Sequence, residues 1–446
     1  MNFVPCVFLR TFFVIIFILF TVFIGDNPTY AQPIQRIEIP SSWNPVGSGA
    51  RALGIGGAFI AIADDATAAS WNPGGLIQLE TPEFSIVGSY FSRAENLSFG
   101  NAQETSGSED VSNANLNYLS AAYPFSLFSR NMIVSVNYQY LYNFKREWNF
   151  PLNIEGADIS GSQLVDYEQE GGLSAIGLAY CIQVSPQFSF GLTLNYWGDG
   201  LNEWDQKTKQ TGSGSFYDNT FYFRSDMIDK YSFNGINANM GFLWNINGNI
   251  TIGGVLKTPF SADLKQEKTL NYSIDYPDAP DFNIDESTST DEDQELDMPM
   301  SYGIGIACRF SDQLTAAFDI YRTKWDKFVL TDADGNKISP ISGKSSDSDI
   351  DPTNQARLGA EYLFFKNRFI VPVRVGVFYD PAPAEGKPDD IYGFSLGSGI
   401  AKDKIVFDIA YQYRYGNNVG TYIMESMDFS MDIREHTVYA SLIYHF

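Results

Sequence analysis

Lys404–Arg414 reads KIVFDIAYQYR. On an extended chain, Ile405, Phe407, Ile409, Tyr411 and Tyr413 fall on one face, and Val406, Asp408, Ala410, Gln412 and Arg414 on the other. Ser301–Phe310 repeats the pattern. Tyr302, Ile304, Ile306, Cys308 and Phe310 share one face; Ser301, Gly303, Gly305, Ala307 and Arg309 share the other. Strands of a soluble sandwich also alternate, but they are usually about 5–6 residues long. These segments run nearer ten, the length that crosses a bilayer as a tilted strand. One face then meets lipid and the other lines a lumen.

Fourteen such segments follow one another, from Glu83–Ser92 to His436–Phe446. The connections after even-numbered segments are short: Phe125–Asn131, Ser185-Pro186, Ile246–Gly248, Ser311-Asp312, Phe364–Arg368 and Lys402-Asp403. Those after odd-numbered segments are longer, among them Lys145–Gly171, Gly198–Lys230, Thr258–Met300, Lys324–Thr353 and Tyr415–Glu435. An even strand count with alternating short turns and long loops is the pattern of an antiparallel outer-membrane β-barrel. By length, 446 residues would make about three soluble domains; one large barrel uses them as a single wall.

Charge and the two ends of the chain agree with this reading. The net charge of −24 argues against nucleic acid as a partner. Ser261–Pro299 alone holds twelve Asp or Glu against Lys265 and Lys268, and its run Asp291-Glu292-Asp293 reads as an exposed loop crown. Solvation accounts for that crown; cations bridging lipopolysaccharide are another use. At the start, Arg10, the apolar run Thr11–Gly25 and Thr29-Tyr30-Ala31 describe a secretory signal peptide over 1–31. Cys181 and Cys308, on opposite faces of strands four apart, are expected not to pair, and they lack metal-ligand spacing.

One stretch breaks the alternation. Gly47–Leu76 reads GSGARALGIGGAFIAIADDATAASWNPGGL, rich in Gly and Ala. The lumen face that follows carries Arg309, Asp319, Arg357, Glu361, Arg374, Asp408 and Arg414, with Gly303, Gly305, Gly393, Gly397 and Gly399 among them. Glycine within a strand marks close approach of other backbone. Residues 32–82 are therefore expected to form a small plug inside a barrel of residues 83–446, held by the lumen charges.

The plug stretch resembles the N-terminal hatch of FadL/TodX-type proteins, outer-membrane transporters of long-chain fatty acids and other hydrophobic compounds. The resemblance rests on Ala50-Arg51-Ala52-Leu53-Gly54-Ile55-Gly56-Gly57-Ala58-Phe59, Ala63-Asp64-Asp65-Ala66-Thr67-Ala68 and Trp71-Asn72-Pro73-Gly74-Gly75-Leu76. Val373–Pro381, Tyr392–Gly397 and Val406–Tyr413 are similar to the family's late strands. The resemblance implies a fourteen-stranded barrel with a hatch, in the outer membrane of a diderm bacterium, and uptake by facilitated diffusion. It implies hatch and gating roles for Arg51, Gly56, Gly57, Asp64, Asp65, Trp71, Asn72, Pro73 and Gly74. The family usually reads Asn-Pro-Ala, so Gly74 is a departure that loosens the turn. The family is thought to release substrate sideways at a kinked third strand, yet Met132–Tyr142 contains no Gly or Pro. Tyr444 and Phe446 resemble the terminal signal read by the barrel-assembly machinery. Related barrels serve protein secretion, which makes a structural or secretion-accessory role the alternative.

Catalytic chemistry finds no footing. Gly54-x-Gly56-Gly57 lacks the preceding strand and third glycine of a dinucleotide loop. His436 and His445 are the chain's two histidines, both on the last strand without an evident Ser or Asp partner. Asp64-Asp65 is better read as an anchor to lumen arginines than as acid/base machinery. The expectation is no enzyme, no cofactor and no metal. Partners are a hydrophobic small molecule or fatty acid, outer-membrane lipid and lipopolysaccharide, with Arg374 or Arg357 open either to a carboxylate head group or to salt bridges with Glu361 or Asp408.

Overall fold

The computed structural model describes residues 39, 44, 47–155, 159–217, 219–344 and 349–446. The signal peptide 1–31 and most of the first residues of the expected hatch lie outside that set. The strands are β1 Glu83–Phe99, β2 Gly107–Leu127, β3 Arg130–Asn143, β4 Arg146–Glu155, β5 Ile159–Ser185, β6 Phe188–Trp197, β7 Glu203–Phe216, β8 Asn219–Asn247, β9 Ile250–Lys257, β10 Phe260–Asp275, β11 Ile284–Met298, β12 Ser301–Arg309, β13 Leu314–Thr323, β14 Val329–Thr331, β15 Lys337–Ile338, β16 Thr353–Phe365, β17 Ile370–Tyr379, β18 Tyr392–Lys402, β19 Ile405–Val419 and β20 Phe429–His445.

Fourteen of these close an antiparallel ring: β1, β2, β3, the later half of β5, β6, the later half of β8, β9, β12, β13 and β16–β20, with β20 returning to pair with β1 from Glu83↔His445 to Phe99↔Phe429. Closure leaves no edge with unpaired amides, which a hydrocarbon environment would penalise. The outer face shows Ile304, Ile306, Val375, Val377, Leu396 and Ile409 exposed, as a lipid-facing band requires. No helix among the described residues is long and apolar enough to cross a membrane.

The long connections are not loops. β4, the early half of β5, β7, the early half of β8, β10, β11, β14 and β15 pair in that order into a second antiparallel sheet above the ring. β8 has 29 residues, about 95 Å at ~3.3 Å per residue, against a hydrocarbon core of about 30 Å; its early half must stand in water. The inner face of this extension is aromatic and aliphatic, with Trp148, Phe150, Trp204, Phe233 and Leu264 all buried in one core. Its outer face carries the acidic residues. The expected loop crown at Asp291-Glu292-Asp293 is instead a stretch of β11, with Asp291 3.1 Å from Lys265 on β10.

One sector of the ring is irregular. β2 and β3 pair from Leu127↔Arg130 up to Tyr118↔Gln139 and no further, whereas β2 continues along β1 to Gly107. Asn117 is skipped in the β1–β2 register and Leu141 in the β3–β5 register. Two bulges therefore face each other where the ladder stops, and bulges bend a strand without needing Gly or Pro.

Candidate transport site inside the barrel

The stretch from Gly47 to Leu79 lies within the ring. It forms two short helices, α1 Ala50–Gly54 and α2 Ala68–Trp71, and a 3-10 turn over Pro73–Gln78. Gly56 and Gly57 end α1 with φ of 73° and 74°, conformations that cost a side-chain-bearing residue about 1 kcal/mol or more. Apart from half-buried Arg51 the helices are buried on every side, which is why their sequence lacks an amphipathic period. Trp71 is fully buried; its Nε1–H donates to Ser48 O at 2.6 Å, and its ring meets Phe59 edge-on at 5.8 Å.

Glycines in the wall admit this segment. A Cβ on Gly191 would overlap Pro73, on Gly241 Asn72, on Gly253 Ile60, on Gly359 Ile55 and on Gly376 Gly56. Of the five glycines singled out by sequence, Gly303 and Gly305 abut Ile60 and Gly397 abuts Gly54. Gly393 and Gly399 instead make room for Phe378 and Asp408 of the wall itself.

Asn72-Pro73-Gly74 is the tightest junction. Asn72 Nδ2 donates to Ile60 O and to Phe242 O, both at 2.8 Å, and Asn72 Oδ1 accepts from Gly74 N–H at 3.0 Å. The turn is thus held, not loosened. An alanine Cβ at 74 would stand 2.7 Å from Phe242 Cα and 2.9 Å from Gly241 O, so the wall requires glycine here. Gly74→Ala is expected to weaken this seating by about 1–3 kcal/mol, read as a lower urea midpoint for the folded barrel.

The charges assemble on one side. Arg51 lies 2.6 Å from Asp64 and 3.1 Å from Glu361; Arg374 lies 2.6 Å from both Glu361 and Asp408. Burial alone would lower the pKa of Arg51, but Asp64 and Glu361 hold it well above its ordinary value. Asp319 accepts from Ile60 N–H at 2.9 Å. Arg357 donates to Gly56 O at 3.1 Å and pairs with Asp380 at 3.0 Å; Arg414 reaches the same Asp380 carboxylate at 3.2 Å. Asp65 accepts from both the amide and the hydroxyl of Thr67, and burial raises its pKa. Arg309 departs from expectation. It is exposed at a short turn, paired with Asp312 at 3.1 Å, and makes no anchor for the segment: at the end of its strand the alternating face has run out of lumen.

Two contacts carry no sequence signal. Glu83, at the first position of β1, accepts from Ala66 N–H at 2.8 Å, and Tyr118 donates to Ala66 O at 2.9 Å. Together they clamp the Asp65-Ala66-Thr67 turn between neighbouring strands. Tyr444 and Phe446 lie exposed at the rim with the short turns, their rings 4.9 Å apart. Cys181 donates weakly to Gly74 O at 3.4 Å, and both described cysteines are free. His436 is exposed on the outer face, 2.7 Å from the Tyr411 hydroxyl.

Above the segment a cavity opens toward the upper sheet. Gln139, Asn195, Asn237, Asn239, Lys257 and Gln355 form a polar girdle; Leu141, Tyr142, Trp197, Phe260, Met298 and Trp325 supply apolar wall. Its free space of about 50 Å³ admits one or two waters, not an alkyl chain, so the conformation is closed. Asn44 helps to roof it, donating to Pro381 O at 2.7 Å and accepting from Trp325 Nε1–H at 2.9 Å. Neither Arg357 nor Arg374 lines it. Among the described residues the metal-like acidic trio is Glu147, Glu168 and Glu170, far up the outer sheet and already bridged by Lys145.

The fold has close counterparts. A FadL homologue from Pseudomonas aeruginosa superposes with a TM-score of 0.59 at 14% identity, covering 90% of this chain and 98% of that one. The toluene transporter TodX of Pseudomonas putida gives 0.56 at 12% identity over 93% and 100%. The toluene transporter TbuX of Ralstonia pickettii gives 0.51 at 15% over 90% and 99%. No curated protein matches the sequence. The family model for outer-membrane transport proteins of the OMPP1/FadL/TodX type matches residues 45–431, from the glycine-rich segment through into the last strand, and the chain belongs to that family.

Proposed function

We propose that this outer-membrane channel takes a hydrophobic compound from the aromatic interior of the upper sheet into the cavity and releases it sideways between β2 and β3. Residues 47–79 act as a hatch that seals the lumen below. The observation that carries this reading is the meeting of two features: the β2–β3 ladder stops at Tyr118↔Gln139, and Gln139, Leu141 and Tyr142, on the strand that leaves it, line the cavity. A solute in the cavity therefore faces a sector of wall not held by ladder hydrogen bonds. Apolar burial at about 25 cal/mol per Å² supplies affinity without a catalytic group, and we assign no chemical step. Lipid and lipopolysaccharide contact the outer band, and the barrel-assembly machinery reads Tyr444 and Phe446. Family and fold favour transport over a secretion-accessory role.

Deleting Leu141 removes the bulge and lets β3 pair onward with β2. The expected result in proteoliposomes is at least about fivefold slower uptake of a labelled hydrophobic probe, with heat-modifiable gel mobility of the barrel retained; a fivefold change corresponds to about 1 kcal/mol. Unchanged uptake by a correctly folded deletion variant would remove the lateral route.

A further inference from the structure

The gap between β2 and β3 has a sill and a top. Its sill is the last ladder pair, Tyr118↔Gln139. Above that pair the chain runs from β3 through Phe144 and Lys145 into β4, while β2 continues beside β1 up to Gly107. Among the described residues, 107–116 of β2 pair with β1 alone and β4 pairs with β5 alone. Two strand edges without a ladder between them therefore lie side by side.

Side chains span these edges instead. Arg93 and Glu95 point inward from β1, 0% and 2% exposed, and reach past β2, which sets Val111 opposite Arg93. Arg93 Nη2–H donates to Lys145 O at 2.7 Å. Glu95 Oε1 lies 3.1 Å from both Arg93 Nε and Arg146 Nη2, and Glu95 Oε2 accepts from Trp148 Nε1–H at 2.6 Å. The Arg146 guanidinium stands 4.4 Å from the centre of the Trp148 ring. Higher up, the Glu109 carboxylate accepts from Asn149 N–H, and Asn153 Nδ2 donates to Glu104 Oε1 at 3.4 Å. β1 is thus tied to β4 across β2.

Below the tie lie residues 113–117 of β2 and 140–144 of β3, a height of about 16 Å at ~3.3 Å per residue. Within it Asn117 Nδ2 stands 3.5 Å from Tyr140 O, the long limit of a hydrogen bond. Leu116 and Tyr90 face outward at this height, 44% and 51% exposed, so the gap opens on lipid. A ladder between β2 and β4 would draw the edges to about 4.8 Å and continue down the same strands, closing the gap. An ion tie fixes the edges without that continuation. Buried ion pairs contribute little net stability beside apolar packing, so geometry accounts better for Arg93, Glu95 and Arg146. We propose that Glu95 is a positioning residue for lateral release: with Arg93, Arg146 and Trp148 it forms a lintel that keeps water out of the passage from above and confines the exit to the height of the hydrocarbon. This rests on the sideways release proposed above. Glu95 acts by holding β4 to β1.

The test places a thiol under the lintel. Val111→Cys, at a 6% exposed inward position, is made in full-length barrel carrying Cys308→Ser. Its reaction with a charged maleimide is followed in nanodiscs, and uptake of a labelled hydrophobic probe in proteoliposomes. The thiol should be silent with Glu95 and with Glu95→Asp, which keeps the charge. Glu95→Gln keeps an acceptor for Trp148 but removes the carboxylate from between the arginines. It should react about tenfold faster, an opening made easier by about 1.4 kcal/mol, and take up probe about threefold more slowly. Trp148→Phe, which removes one hydrogen bond, should react about threefold faster and carries the test if Glu95→Gln does not assemble. A thiol that stays silent in folded Glu95→Gln or Trp148→Phe would overturn the lintel. A reactive thiol with unchanged uptake would overturn its part in release. A cysteine at Ser70 that opens equally in Glu95→Gln would mean general loosening and also overturn it. Failure of the lateral route itself is read separately, from the Leu141 deletion.

Discussion

Arg374→Met is expected to lower the stability of the folded barrel by about 3–5 kcal/mol. Arg374 is 3% exposed and sits between two carboxylates, each 2.6 Å away. Removing it leaves Asp408, itself fully buried, with a charge that the low-dielectric interior cannot solvate. Glu361 keeps Arg51, so the damage is asymmetric. Adding Asp408→Asn to Arg374→Met should therefore restore stability, although Asp408→Asn alone costs stability in the wild type. That reversal of sign is the mark of a coupled pair. Urea titrations of the four proteins of the cycle, followed by heat-modifiable mobility, give the answer. An additive cycle would show that Arg374 and Asp408 do not act as a pair.

Asn72 is the second point of large effect. Its side chain satisfies two carbonyls, one in the 47–79 segment and one in the wall, and caps the amide of Gly74. Asn72→Ala orphans all three groups at a fully buried position, and about 1–3 kcal/mol per group makes a total near 3–5 kcal/mol reasonable after relaxation. Asn72→Asp should be worse than Asn72→Ala. It keeps the acceptor for Gly74 N–H, but it sets a carboxylate against the carbonyl oxygens of Ile60 and Phe242. The loss falls on the seating of the 47–79 segment, since every ladder bond of the ring is left intact. A cysteine placed at Ser70, which is 1% exposed, should be silent to maleimide in an otherwise wild-type barrel and react in both variants, faster in the Asp variant. Labelling no faster than in wild type would mean that Asn72 is dispensable to the seating.

The ring was legible because its lipid face has a strict period of two and its turns alternate in length. The upper sheet was not. Trp148, Phe150 and Leu152 also alternate, but their outward neighbours Asn149 and Glu147 are as polar as any loop, because that face meets water and not lipid. The lumen charges were visible as charges, and Arg309 shows what a face assignment leaves out: the height along the strand at which the lumen ends. Gly191 and Gly241 escaped notice because each stands alone in an apolar strand, whereas Gly303 and Gly305 announce themselves as a pair. The bulge at Leu141 left no trace, since register is a relation between strands and no residue type encodes it.

The glycine contacts bear on how such a molecule can come into being. Ile55, Ile60, Asn72 and Pro73 lie against wall backbone at Gly359, Gly253, Gly241 and Gly191, on β16, β9, β8 and β6 of the ring. β20 closes onto β1 along seventeen paired residues, and the segment precedes the whole wall in sequence. A segment already seated when the seam shuts is a former around which the later strands are cast, and a variant that unseats it should be slow to close as well as loose once closed.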